Sequence, residues 1–454
     1  MSDLLSIGAS GISAYKTALS AISDNVANSE TPGFARRGTA QREQVASLPM
    51  HPTYRSGTVF AGTQITAITR AYDQFRNKEV HVASAEAGRS AARAQWLETA
   101  ESALDDGDAG IGARLTAFYN AADALAADPG NAMPRRALLS ALDETATAFR
   151  TTAQGLTRTA EGIAKDAQAN VDAVNGNLEA LAKLNGALLR SEPGSASHAS
   201  LLDQRDKLID EVSSRLDIDA SFGTNGTVTL KLARNSKSSL VDGVIPNPIA
   251  VAQAANGTLT LFASVDGGTQ PIGMPGGSIG GLIDVSATVA DRRASLDAIA
   301  ADFAATVNTW SAAGLDAAGN PGQPLMSVAA TGSAAASIAL AITDPDAVPA
   351  ASTDGTTVTA NGNLIALQNL RAGGAEDRMA ALVAGHAQAT SSARTEADVT
   401  GTRRDAALQS RDEVIGIDLD REAAELIRFQ QAYNGSARII QVARETMQSI
   451  LDLF

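Results

Sequence analysis

The 454-residue chain contains no cysteine, which excludes disulfides and thiolate metal sites. That absence fits an exported protein that manages without disulfides, and equally many cytosolic ones. Aromatic residues make up only 4%, while alanine is abundant. Small, helix-favouring residues suit long, thin helical packing better than a thick globular core. No stretch reaches the roughly 18 consecutive apolar residues of a membrane span. The opening residues, Met1 to Ser6, lack a basic segment followed by an apolar one, so no cleavable export signal is expected. A basic stripe is also missing. The net charge is −14 with the acids spread along the chain, which argues against nucleic acid as a partner and reads as solubility.

What is present is a pattern at each end. Residues 3–28 read as one helix, with Leu5, Ile12, Leu19 and Val26 seven apart and Tyr15 and Ile22 between them. This is an a/d seam, weak only at Gly8. Thr31-Pro32-Gly33 stops it, because proline lacks a donor and glycine permits the turn. Residues 419–454 mirror the arrangement. Leu426, Tyr433, Ile440, Met447 and Phe454 are seven apart, and Gln430, Ala437, Arg444 and Leu451 alternate with them. A second stripe, Ile427, Ile439, Val442, Ile450 and Leu453, widens the apolar face. Two amphipathic end helices have two solutions. They pair with each other and offer the remaining apolar surface to other copies, or both pack on the central domain.

Between the ends the pattern changes several times. Residues 34–75 suggest short strands and turns, from Val59, Ile65 and Ile68 with interleaved threonine. Helices are expected over 79–105, with Trp96, Leu97 and Leu104 as core, over residues from 113 to Asp128, and from Pro134 to about Leu189. Leu201–Leu216 is a further amphipathic helix. Val228, Leu230 and Leu232 then alternate with polar residues, and Asn225-Gly226 and Asn256-Gly257 are hairpin signals. Helix returns at about 281–313, turns and short strands fill 314–362, and 363–411 is mostly helical. The expected division is a terminal helix and turn (1–48), a first helical part (49–216), a small β insertion (217–278), a second helical part (279–411) and a terminal helix (412–454).

Apparent chemical motifs dissolve in context. Ser13-Ala14-Tyr15-Lys16 and Ser23-Asp24-Asn25 imitate two signatures of penicillin-binding enzymes, but they share one helix and lack the third. His51, His81, His198 and His386 are scattered without metal-ligand spacing, and are expected as solvated surface residues. Gly276 to Gly281 carries no phosphate-binding lysine and reads as a tight turn into a helix. Asp418 and Asp420 read as a helix cap rather than a calcium loop. The sequons at Asn225 and Asn256 are simpler as Asn-Gly turns, and that at Asn434 lies within a helix. No catalytic, cofactor-binding or metal site is expected, and an enzyme such as a wall hydrolase finds no paired acids or nucleophile here.

Asp24-Asn25-Val26-Ala27-Asn28-Ser29-Glu30-Thr31-Pro32-Gly33-Phe34-Ala35-Arg36 resembles the N-terminal signature of bacterial flagellar rod, hook and hook-associated axial proteins. Asp24 and Phe34 depart mildly from that pattern. Ile417 to Glu422 and Leu426 to Tyr433, with Gln430 and Gln431, resemble the matching C-terminal signature. Leu201-Leu202-Asp203-Gln204-Arg205-Asp206 resembles a helix of the hook-associated members. So do Gly280 to Asp284, Val307-Asn308 with Gly314-Leu315-Asp316, and Ile342 to Pro345. The resemblance runs over most of the chain and is weakest in the β insertion. It implies a mainly α, elongated, multi-domain fold with a central long-helix bundle and terminal helices paired as a coiled coil. It also implies a structural role at the hook–filament junction, with hook protein and hook-associated protein 3 as neighbours. Export would use the flagellar apparatus and an export chaperone, without a cleaved signal. Another axial subunit, hook protein or hook-associated protein 3, is the alternative. The expected assembly seam is Leu5, Ile12, Leu19, Ile22, Val26, Leu426, Tyr433, Ile440, Met447 and Leu451, with helices that order on assembly.

Overall fold

The computed structural model describes residues 2–47, 58–104, 107–233, 235–265 and 268–452. Helix α1 (Ser2–Ala27) turns into strands β1 (Arg37–Ser47) and β2 (Thr58–Arg70). Helices α2 (Gln74–Leu104), α3 (Ile111–Ala127), α4 (Ala132–Leu188) and α5 (Ala196–Arg215) follow. Strands β3 (Ile218–Phe222), β4 (Val228–Leu232), β5 (Asn235–Asp242) and β6 (Ile245–Pro246) form one antiparallel sheet. Strands β7 (Ala250–Gln253), β8 (Leu259–Val265) and β9 (Gly268–Ile272) form a second. After α6 (Gly277–Ala313) come short pieces: β10 (Met326–Ser327), α7 (Ala334–Ser337), β11 (Ala339–Leu340), β12 (Ser352–Thr353), β13 (Val358–Thr359) and α8 (Gly362–Gln368). Two long helices close the described chain, α9 (Ala375–Ile415) and α10 (Leu419–Leu451).

The central part is built on α4. Its 57 residues span roughly 86 Å at 1.5 Å per residue. The Asn131 side chain accepts from the Met133 amide and caps its start. One half of α4 packs with α3 and α6, where Phe149 stacks on Phe303 at 6.1 Å and Phe118 meets Phe303 edge-on at 5.7 Å. The other half carries both sheets. The Asn185 amide donates to Val228 O (2.8 Å) and accepts from Val228 N (2.8 Å). Ten residues earlier, Asn175 does the same to Ile249 at 2.9 Å each way. Two amides on one helix thus replace backbone partners for two different sheets.

Helices α2 and α9 run antiparallel beside this core. Their register is set by Arg93–Glu396 (3.0 Å), Ser90–Thr400 (2.5 Å) and Glu86–Arg403 (2.8 Å). Asn225-Gly226 and Asn256-Gly257 lie in the β3–β4 and β7–β8 connections, as the hairpin signals predict. The strands expected to be short over 34–75 are 11 and 13 residues long. An isolated two-stranded ribbon is marginal in water, and this one is steadied by α1, where Ser10 Oγ accepts from Thr63 N at 3.2 Å. Its two strands come from either side of the expected division at 48/49.

The histidines overturn their surface assignment. His81, His198 and His386 are buried, while His51 lies outside the described residues. Each buried ring has a polar partner supplied by the fold: Asp210 for His81 (3.0 Å), Ser191 for His198 (2.8 Å) and the Leu97 carbonyl for His386 (2.9 Å). Burial holds both His198 and His386 below their ordinary pKa; for His386 it outweighs the Leu97 hydrogen bond. Among the described residues no helix is long and apolar enough to cross a membrane.

Candidate assembly site

The terminal helices lie antiparallel. Tyr15 packs on Phe429 with ring centroids 6.1 Å apart. On α1 the side facing α10 carries two buried glycines, Gly8 and Gly11, with Tyr15 and the buried Asn25 further along. A Cβ at Gly8 would sit 2.7 Å from Ile440 Cγ1, and one at Gly11 would sit 2.6 Å from Ser436 Oγ. These glycines therefore let the two backbones approach. On α10, Leu426, Tyr433 and Ile440 face α1, half-buried. The sequence pattern put Gln430, Ala437 and Arg444 between them; the structure uses Phe429, Ser436 and Ala443, one residue earlier. Small side chains at Ser436 and Ala443 suit so close a seam, and bulk at these places would push the helices apart.

Among the expected seam residues, Ile22 is buried and Leu5, Ile12 and Leu19 are half-buried, whereas Val26 is exposed. Met447 and Leu451 are exposed. The second stripe is uncovered too: Ile427, Ile439, Val442 and Ile450 are all exposed.

At the other end of the pair is a buried polar lock. Asn25 and Glu422 are both fully buried. The Asn25 amide donates to Glu422 Oε2 (2.9 Å) and to Arg37 O (2.8 Å), and accepts from Arg37 N (2.9 Å). Arg36 Nε donates to Glu422 Oε1 at 2.6 Å and reaches Glu425 at 3.2 Å. The Arg36 amide also donates to Ile415 O at 2.9 Å. A buried carboxylate persists only when paired and hydrogen-bonded, and both Glu422 oxygens are.

The lock continues into the central part. Arg37 meets Asp24 (2.6 Å) and Asp203 (3.1 Å), and Arg70 meets Asp203 (2.6 Å) and Asp206 (2.8 Å). For Arg70, burial alone lowers the pKa, and the charges of Asp206 and Asp203 overcome it, so the guanidinium is held above its ordinary value. One turn further along α5, Asp210 accepts from Arg411 (2.7 Å) and contacts His81. Burial raises its pKa, but those two partners together bring it below the usual carboxylate range. One face of α5 thus gathers basic groups from β1, β2, α2 and α9.

The signature residues divide accordingly. Asn25 sits in the lock. Asn28 folds back to Asp24 O (2.9 Å). Thr31, Pro32 and Gly33 form the exposed turn between α1 and β1, with Gly33 at φ +84°. Tyr433 is half-buried in the seam, and Gln430 and Gln431 are exposed.

Known proteins match this arrangement piece by piece. A model for the flagellar hook-associated protein FlgK helical domain matches residues 97–326, half of the chain. This chain belongs to the FlgK family of flagellar hook-associated proteins. A model for the flagella basal body rod protein matches residues 5–34, and one for the flagellar basal body rod FlgEFG protein C-terminal region matches 408–453. These two matches are the two halves of the helix pair. Flagellar hook-associated protein 1 of Escherichia coli K12 is 26% identical, over 72% of this chain and 60% of that protein. Its Bacillus subtilis 168 counterpart is 24% identical, over 97% of this chain and 96% of that protein. The chain thus spans about 60% of the length of the enterobacterial relatives it matches. The solved flagellar hook junction protein FlgK from Burkholderia pseudomallei superposes with a TM-score of 0.65 at 15% identity, covering 74% of this chain and all of that one. This shows a shared fold.

Within this family member, sequence reasoning singled out Asn25 but not its partners. Arg36, Glu422 and Asp203 lay inside the recognised motifs without assigned roles. The available signal was charge: an arginine closing one signature, an acid within the other, and two acids in the α5 motif.

Proposed function

We propose that this chain is a non-catalytic structural subunit of the flagellar axis at the hook–filament junction, polymerising through its terminal helices. One observation carries the reading: α10 is fastened to α1 along one side while a second apolar stripe stays uncovered. Exposed apolar surface rimmed by polar residues marks an interaction site, and a helix in a fixed pose meets a neighbour at a lower ordering cost than a free one. In this reading the neighbours are further copies in the axial tube, then hook protein on one side and hook-associated protein 3 on the other. The export apparatus and a chaperone handle the chain before assembly. Covering that stripe on assembly adds protection to helices already paired in the free chain, so hydrogen exchange along 4–27 and 420–451 is expected to be faster in the free chain than in the polymer. The direct test deletes residues 1–30 or 425–454 in the flagellated cell. Filaments should fail to grow; growth with either truncated chain refutes the proposal. Immunolabelling should give a narrow band between hook and filament, and labelling along the whole hook would assign the chain to hook protein instead.

A further inference from the structure

The uncovered stripe of α10 needs a receptor, and the structure offers one on the same chain. A contact between two α10 stripes would be isologous and would close as a dimer, whereas continued growth needs a heterologous contact between two different surfaces. On α10, Arg421, Arg428, Ile439, Val442 and Ile450 recur on one side of the helix, with Arg428 as the cation toward its start, Arg421 being shared with Glu425 at 3.8 Å, and apolar residues toward its end. All five are exposed. The receptor should therefore be apolar with an acidic rim.

The foot of the α2–α9 pair has that character. Phe75 is 77% exposed, and Val82 and Val414 are exposed beside it. Phe75, Glu79, Val82 and Glu86 fall on one stripe of α2; Val399, Arg403 and Val414 fall on one stripe of α9. The Glu86–Arg403 bridge joins the two stripes. The register it shares with Arg93–Glu396, and with Arg76 near Glu413 at 3.9 Å, brings Phe75 across from Val414. Glu79 and Glu413 are exposed at the edge, with Asp73 at the helix start. Arg76 offsets one of these charges and the exposed Lys78 is paired with Asp219 at 3.6 Å, so the rim, with Asp418 and Asp420 exposed beside Leu419, stays acidic. Leu419, exposed at the start of α10, continues the apolar surface. The other apolar cluster, Leu189 with Val244 and Ile245 beyond the end of α4, carries both Arg190 and Asp242 and so has no sign to match.

We infer that the Phe75–Val82–Val414 face receives the outer α10 stripe of a second copy of this chain, joining subunits head to tail. This rests on the self-assembly reading and names the surface that completes it. Because the chain lacks cysteine, single thiols can be placed at will. Full-length Phe75→Cys and Val442→Cys chains are mixed at polymerising concentration and oxidised, with Val244→Cys plus Val442→Cys as the control pair. The first mixture should give a mixed dimer at least tenfold above the control, and a chain carrying both Phe75→Cys and Val442→Cys should give a ladder of higher oligomers. Phe75→Asp should lower polymer yield at least tenfold with the monomer melting point unchanged. Polymers that sediment normally without a 75–442 cross-link overturn this inference and leave self-assembly standing. Failure of the unsubstituted chain to sediment above the monomer size overturns both.

Discussion

The central core and the terminal helix pair bury apolar residues in opposite ways. In the core, Phe118, Phe149, Leu142 and Leu156 are enclosed on every side, so stability there is an internal matter. In the pair, Gly8 and Gly11 of α1 make the closest contacts, and a whole stripe of α10, Ile427, Ile439 and Val442, faces away from them. Burying a large aliphatic or aromatic side chain contributes about 1.5–3 kcal/mol, and the core has collected that contribution within one chain. The pair relies on close backbone approach, on the Tyr15–Phe429 contact and on a polar lock, and Ile427, Ile439, Val442 and Ile450 stay uncovered. Under the proposed function, folding and assembly fall to different residues of one polypeptide.

Substitutions can break this contrast at graded strength. The largest loss is expected at Phe149→Ala, which empties a site against Phe303; denaturant unfolding of the central part should show about 3–5 kcal/mol. Next is Glu422→Ala, which leaves the buried Asn25 amide and Arg36 short of an acceptor. It should cost about 2–3 kcal/mol, seen as faster hydrogen exchange in α1 and α10 with the core unaffected. A smaller effect follows from acid. His198 and His386 are held below their ordinary pKa, so the unfolded chain binds those protons more readily. Their stabilisation is complete above about pH 6.5 and declines as pH falls below it. The melting temperature should drop over that window, and His386→Gln should flatten part of the drop. The smallest monomer effect is expected at Val442→Ala, within about 0.5 kcal/mol, although polymer yield should fall. A large monomer effect at Val442 would erase the contrast.

Much of the fold was legible because the helices are long and carry repeated apolar spacing. The failures have physical causes. The seam of α1 was displaced toward Leu5, Ile12 and Leu19 because glycine and alanine do not register as apolar in a periodic reading, yet Gly8 and Gly11 make the closest contacts. His81 and His386 were placed on the surface because burial of each polar ring depends on a partner far along the chain. The Leu97 carbonyl lies 289 residues from His386. The lock was invisible for the same reason, since Asn25 and Glu422 are 397 residues apart. The hairpin was underestimated because its support comes from α1 and not from its own two strands.

The antiparallel pairing of α1 and α10 has a topological consequence. The chain leaves the pair after Ala27 and re-enters it at Leu419, and the Arg36–Ile415 hydrogen bond ties those two points together. Everything between is a cassette inserted into a helical hairpin, entering and exiting through one gate. Such a cassette can lengthen, shrink or be exchanged without shifting the register of the two helices that hold it. The same pair of helices can therefore serve as a common plug for chains whose middles differ in size.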